Sequence, residues 1–149
     1  MQASAYLQMI HPRWLDAVND ARHDEFEDLL GLFLDAIDQA ESNPALEALA
    51  KALARACLGC DHLWHDLGLP TRQVLSDLLH EHFPVLAAKN TGNMRWKKFF
   101  YLQLCERADI RACRAPSCDV CALQIECFGS EDRPLATLRS IAISSGASA

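Results

Sequence analysis

Four cysteines within a fifteen-residue window near the end of the chain constrain its fold more than any other feature. They are Cys113, Cys118, Cys121 and Cys127, spaced C-x4-C-x2-C-x5-C in the stretch 111–130. Thiolates are soft, strongly donating metal ligands, and short gaps lower the entropy lost in gathering them around one centre. Charged and turn-forming residues interrupt the window, which disfavours packing in an apolar core. The spacing therefore predicts a loop that binds a metal or a metal cluster.

The spacing alone leaves two kinds of centre open. Structural zinc sites usually pair two C-x2-C units a dozen or more residues apart, and this window contains one such unit. Its first part, C-x4-C-x2-C, has the ligand spacing of plant-type ferredoxins. The pattern favours an iron–sulfur cluster. The alternative is a zinc-stapled helical module that serves in interaction or regulation.

Length and composition favour one soluble helical domain. The chain has 149 residues, half of them hydrophobic, and we assign 1–143 to a single domain and 144–149 to a flexible tail. The formal charge of −6 argues against nucleic acid as a partner. The first residues lack signal-peptide features and no apolar run is long enough to span a membrane, so we expect a cytoplasmic protein. Seven cysteines in such a chain are typical of metal binding rather than disulfides.

Apolar residues recur at helical spacing along the chain, and no stretch alternates as a strand does. Asn43-Pro44 and Thr71 are typical helix start signals, and we expect Asn93 to cap a helix rich in aromatic residues. The fold class predicted is all-α, a small helical bundle with a cysteine-rich metal-binding loop near the C-terminus. The predicted helices are 24–37, one from Pro44 that extends through Trp64 to Gly68, 72–82, 94–107 and a short one at 135–143.

Basic residues are concentrated beside the cysteine loop. Seven of the 14 Lys and Arg residues lie between Lys89 and Arg114. Arg114 within the loop, and Lys97 and Lys98 on the preceding helix, are candidates to offset the negative charge of a cluster or to capture an oxyanion such as molybdate. The simpler interpretation of each is a solvated helix face. Cys105 is a candidate extra thiol or, more simply, a packed one.

A second group of metal-capable side chains precedes this region. Cys57, Cys60, His62 and His65 do not share one face of a continuous helix, so core thiols and interfacial imidazoles are the favoured interpretation and no role is assigned. The motifs of serine hydrolases, zinc proteases and phosphate-binding loops are absent from the sequence. A catalytic oxidoreductase would need a substrate pocket that the sequence does not reveal. The sequence therefore gives no support to hydrolase or nucleotide-dependent chemistry.

Three segments together resemble the NifQ family of nitrogen-fixation proteins. They are DHLWHDLGL at 61–69, the run from HFPVLAAKN to MRWKKFFYLQLCE at 82–106, and CRAPSCDVCALQIECFG at 113–129. The resemblance covers about half of the chain, roughly residues 58–131. The C-x4-C-x2-C-x5-C spacing joined to a WKKFFY-type sequence carries most of its specificity.

The resemblance implies an oxygen-sensitive iron–sulfur protein that carries molybdenum in a molybdenum–iron–sulfur cluster. By motif match, the four cysteines of the 113–127 window become its ligands. Such proteins supply molybdenum to the nitrogenase iron–molybdenum cofactor on its assembly scaffold, together with the nitrogenase iron protein. The expected activity is transfer of a cargo rather than catalytic turnover.

Overall fold

The computed structural model of the chain describes residues 1–16 and 22–107. This part consists of α-helices joined by short turns, with one 3-10 turn at Pro12–Trp14 and no strand, which confirms the all-helical prediction for these residues. The cysteine loop 111–130, the helix predicted at 135–143 and the tail 144–149 lie outside the described residues. The helices are α1 (Ala3–Met9), α2 (His23–Asp35), α3 (Pro44–Ala56), α4 (Leu63–Leu67), α5 (Arg72–His82), α6 (Pro84–Ala88) and α7 (Trp96–Arg107).

Two of the predicted helix starts are confirmed with their capping hydrogen bonds. Asn43 is extended, and its side-chain oxygen accepts a hydrogen bond of 3.0 Å from the backbone N–H of Leu46 at the start of α3. Thr71 is extended in the same way, and its hydroxyl accepts from the N–H of Val74. Each cap satisfies one of the N–H groups that a first helical turn leaves without a partner.

The prediction that the helix from Pro44 runs on to Gly68 is wrong. Helix α3 ends at Ala56, and the separate helix α4 ends at Gly68, whose φ of 82° is left-handed. In the intervening turn, residues 57–62, two carbonyl groups accept hydrogen bonds from side chains that are distant in the sequence. Lys97 and Arg22 donate to the carbonyl oxygens of Gly59 and Leu58 at 2.9 and 3.0 Å.

The prediction that Asn93 caps the aromatic helix is also wrong. Helix α7 begins at Trp96, and Asn93 has a φ of 54°, which is not the extended conformation of an N-cap. Its side-chain oxygen accepts a hydrogen bond of 2.9 Å from Arg72. The turn before α7 is instead closed by Asn90, whose side chain bonds both the N–H and the carbonyl oxygen of Met94.

The core is built where α2, α3 and α7 pack together. Phe33 on α2 is fully buried, and its ring lies 4.8 Å from that of Phe100 and 5.5 Å from that of Phe83. Trp96 stacks on Phe100, and both are buried, so the aromatic residues of α7 anchor the core. None of the helices in the two described ranges is both long and apolar enough to cross a membrane.

Candidate functional site

A polar cluster at turn 57–62 joins α7 to the rest of the domain. The ammonium group of Lys97, at the start of α7, donates to the carboxylate of Asp66 and to the carbonyl oxygen of Gly59. The side chain of Lys97 is 17% exposed and that of Asp66 is 7% exposed, so the ion pair is largely shielded from water. A shielded pair of this kind is costly to break on one side only.

Asp66 is bound from several directions. Its carboxylate accepts a hydrogen bond of 3.1 Å from the backbone N–H of Asp61, and the guanidinium of Arg13 lies 3.7 Å away. Its backbone carbonyl accepts a hydrogen bond of 2.6 Å from the indole of Trp14. The 3-10 turn, turn 57–62, α4 and α7 therefore meet at this one residue.

The close approach of Asp66 to turn 57–62 requires a glycine at position 59. A Cβ atom built on Gly59 would lie 2.6 Å from Cγ and 3.0 Å from Oδ1 of Asp66, closer than real Cβ contacts. The carboxylate has little freedom to move because Lys97 and the N–H of Asp61 hold it.

We expect Gly59→Ala to lower the free energy of unfolding by about 1–3 kcal/mol, the range for overpacking a filled site. Gly31→Ala is the matched control, because a Cβ on Gly31 meets nothing within 4 Å. A glycine-to-alanine change within a helix stabilises by about 0.5–1 kcal/mol. Urea denaturation of both variants measures the difference. Equal changes in the free energy of unfolding for the two variants would show that the Asp66 carboxylate does not require a glycine at position 59.

The three described thiols occupy different environments. Cys57 is buried beside the Lys97–Asp66 pair, and burial raises the pKa of its thiol to about 12, so it stays protonated. Cys60 is exposed and Cys105 is half-buried, and all three are free thiols. His65 Nδ1 lies 3.3 Å from the carboxylate of Asp61. Within residues 1–16 and 22–107 no group of three or more His, Cys, Asp or Glu side chains is placed to hold a metal ion.

Tyr101 extends the polar cluster along the next turn of α7. Its hydroxyl donates to Glu25 and accepts from Arg22, each at 3.2 Å, while Arg22 also pairs with Glu25. Burial raises the pKa of the Tyr101 hydroxyl to about 12. Near the end of α7, Arg107 donates to Asp35 of α2 at 2.9 Å. Polar contacts therefore join α7 to the domain at its start and middle, and an exposed ion pair lies at its end.

The predicted site residues are placed as follows. The four cysteines of the 113–127 window and Arg114 lie outside the described residues. Lys97 faces inward and pairs with Asp66, whereas Lys98 is exposed to solvent and Cys105 is partly covered. Cys113 lies six positions after Arg107, the last residue of α7 that the structure describes.

Comparison with known proteins identifies the family. The NifQ family model matches residues 2–129, which include all four cysteines of the window. The chain belongs to the NifQ family. Protein NifQ of Azotobacter vinelandii is 49% identical over 112 residues, which are 75% of this chain and 56% of that protein. A NifQ homologue of Sinorhizobium fredii is 48% identical over 122 residues, 81% of this chain and 52% of its own length.

A third relative, protein NifQ of Klebsiella pneumoniae, is 40% identical over 118 residues, covering 78% of this chain and 68% of that protein. The chain spans about half the length of the first two NifQ relatives. No solved structure matches the chain significantly. In the present structure, two of the three segments that resemble the NifQ family meet at the Lys97–Asp66 pair, which joins 82–106 to 61–69.

Reasoning from the sequence missed Asp66, Gly59 and Arg13. Asp66 had one usable signal, since it is an acidic residue in the otherwise apolar run LWHDLGL. A buried carboxylate in such a run requires a cation or hydrogen-bond donors. Gly59 and Arg13 carry no comparable signal, because their importance comes from the position of Asp66.

Proposed function

We propose that this chain binds a molybdenum–iron–sulfur cluster through Cys113, Cys118, Cys121 and Cys127 and supplies molybdenum for nitrogenase cofactor assembly. Membership of the NifQ family over a range that contains all four cysteines is the observation that carries this proposal. The spacing of the thiolates is compatible with three corners of a cluster and a fourth ligand.

The donor set fits this cargo. Thiolates are the ligands that iron–sulfur clusters prefer, and iron sites bound in this way supply a reduced, sulfur-rich environment for molybdenum. The chain's part is to present the thiolates together and to balance their charge. Arg114 within the window and the exposed Lys98 are the basic residues proposed for that balance. Lys97 forms an ion pair with Asp66. Its part in this proposal is therefore to hold α7 in place.

The helical domain acts as the support for the metal-binding window. Helix α7 is attached at Lys97, Tyr101 and Arg107, and the window begins six residues after its end. Sites on rigid elements hold their ligands more uniformly than sites on unsupported chain. A carrier also has to release its cargo, which favours a window at the end of the domain over one within its core.

The protein is proposed to act as a donor rather than an enzyme. Its source of metal is molybdate, and its partners are the scaffold on which the iron–molybdenum cofactor is built and the nitrogenase iron protein. We propose that it acts in the cytoplasm, where these partners would meet it.

Anaerobic reconstitution tests this function. The purified chain is treated with iron and sulfide, then with molybdate, and desalted before iron, sulfide, molybdenum and zinc are measured. We expect a brown protein that binds iron and sulfide, retains molybdenum and bleaches in air. A colourless protein with stoichiometric zinc and no iron would overturn the proposal in favour of the zinc-stapled module, which chelators would unfold. Cys60→Ala should take up iron and sulfide as the unaltered chain does, since Cys60 is an exposed thiol outside the window.

A further inference from the structure

An open groove runs along the C-terminal half of α7. Two adjoining cavities of about 300 and 440 Å³ share the residues Lys89, Gln103 and Glu106 and lie on either side of them. The first is bounded by α2 and α6, and the second by the turn that precedes α7. Their apolar lining consists of Leu32, Ala36, Val85, Leu86, Met94, Phe99 and Leu102. Val85, which lines the first cavity, is 66% exposed.

A buried polar side chain faces this groove. Gln103 is only 9% exposed and lines both cavities. Within residues 1–16 and 22–107 the Gln103 side chain has no hydrogen-bond partner. A glutamine amide carries two donors and an acceptor. This amide is therefore suited to bind the backbone or a polar side chain of a segment that fills the groove.

The chain itself contains a segment of matching chemistry. Residues 135–143 read LATLRSIAI, and on a helix Leu135, Leu138, Ile141 and Ala142 share one face. Anchors at this spacing are typical of a helix that binds in an apolar groove. Thr137 lies beside that face and Ser140 lies opposite to it. The segment thus offers an apolar face with a polar side chain, Thr137, at its edge.

The charges near this segment and the length of chain that precedes it also favour it as the occupant of the groove. Glu106, at the centre of the groove, forms no ion pair with the residues that the structure describes, and Arg139 would lie at the edge of the apolar face. The acids Glu131 and Asp132 precede the segment and complement Lys89. Between Arg107, which lines the groove, and Leu135 there are 27 residues. A flexible linker of that length spans roughly 30 Å, more than a return to the adjacent surface requires.

We propose that residues 135–143 bind in this groove as a helix, with Leu138 on its apolar floor and Arg139 beside Glu106. The cysteine window would then be tied to the domain at both of its ends, by α7 before it and by this helix after it. Two fixed ends reduce the number of conformations that the window can adopt before it binds metal. The inference does not rest on the proposed function, because it concerns the metal-free chain.

A photocrosslinker tests this contact in the full chain. p-Benzoylphenylalanine replaces Val85, an exposed residue of the groove, and the irradiated monomer is digested and analysed by mass spectrometry. We expect crosslinks within one chain to peptides that contain residues 135–143. Leu138→Asp should abolish these crosslinks, whereas Ser140→Asp, on the opposite face, should leave them in place.

Charge reversal gives a second measurement. Glu106→Lys should weaken the crosslink, and Arg139→Glu in the same chain should restore it. The proposal is overturned by crosslinks to another part of the chain, by crosslinks between chains, by their absence, or by an equal effect of the two aspartate variants. Circular dichroism of each variant verifies that the helical domain is folded.

Discussion

Cys121→Ala is expected to abolish binding of the iron–sulfur cluster while leaving the helical content nearly unchanged. Cys121 is the third cysteine of the window and closes its C-x2-C unit with Cys118, so its loss removes one of four thiolates from the donor set. The described helices are packed around Phe33, Phe100 and Trp96, whose contacts do not depend on a bound metal. The measurements are iron and sulfide analysis after anaerobic reconstitution, together with far-ultraviolet circular dichroism.

Cys60→Ala is the control for this result. Cys60 is an exposed thiol in turn 57–62, and its removal should leave both the iron content and the helical signal unchanged. If Cys121→Ala also lost its helical signal, the metal would be a structural one on which folding depends. If Cys121→Ala retained the iron and sulfide of the unaltered chain, Cys121 would not be a ligand.

Lys97→Met is expected to be the most destabilising substitution of a charged residue in the described part of the chain. The change removes the ammonium group from a largely buried ion pair and leaves the carboxylate of Asp66 in a site that is 7% exposed. Breaking a buried pair on one side costs about 3–5 kcal/mol. It also leaves the carbonyl oxygen of Gly59 without the hydrogen bond that Lys97 donates. Urea denaturation of the metal-free chain measures the loss.

Lys98→Met is the matched control, because the neighbouring lysine is exposed. We expect its effect to be within about 0.5 kcal/mol, as for most surface substitutions. The double variant Lys97→Met/Asp66→Asn should be less destabilised than the sum of its single variants, since no buried charge remains. Similar losses for Lys97→Met and Lys98→Met would contradict the assigned role of the Lys97–Asp66 pair.

Helix starts could be predicted from the sequence because their causes are local. Asn43 and Thr71 each bind an N–H three residues ahead, so the pattern and the contact lie within one turn. The apolar spacing that predicted the helix at 24–37 is local in the same way, and Phe33 of that helix is fully buried. Agreement between local preference and overall packing is typical of sequences that specify one fold.

The break between α3 and α4 could not be predicted in this way. The turn between them is bound by Lys97 and Arg22, which lie 38 and 36 positions away from the residues they bind. The ion-pair partner of Lys97 could not be predicted for the same reason. Counting basic residues indicated a charge available to an anion, but its partner Asp66 is 31 positions away in the chain. Asn93 was misassigned because Arg72, from another helix, binds its side chain.

For the cysteine window, more could be predicted from the sequence than the structure describes. Its ligand set was predicted from spacing and from resemblance to the NifQ family, and it stays a prediction because the window lies outside the described residues. The domain that supports it, from turn 57–62 through α7, emerged only from the three-dimensional contacts of Asp66 and Lys97. Family membership supports the chemistry, whereas the structure describes how the chain leading to that chemistry is held.

Transfer of molybdenum is the most direct test of the donor function. The reconstituted chain, loaded with molybdate and freed of unbound metal by gel filtration, is added anaerobically to the cofactor assembly scaffold and the nitrogenase iron protein with no other molybdenum present. We predict that molybdenum moves to the scaffold and that Cys121→Ala, taken through the same column, delivers none. Retention of all molybdenum on the loaded chain, or equal delivery by Cys121→Ala, would contradict a cysteine-bound donor.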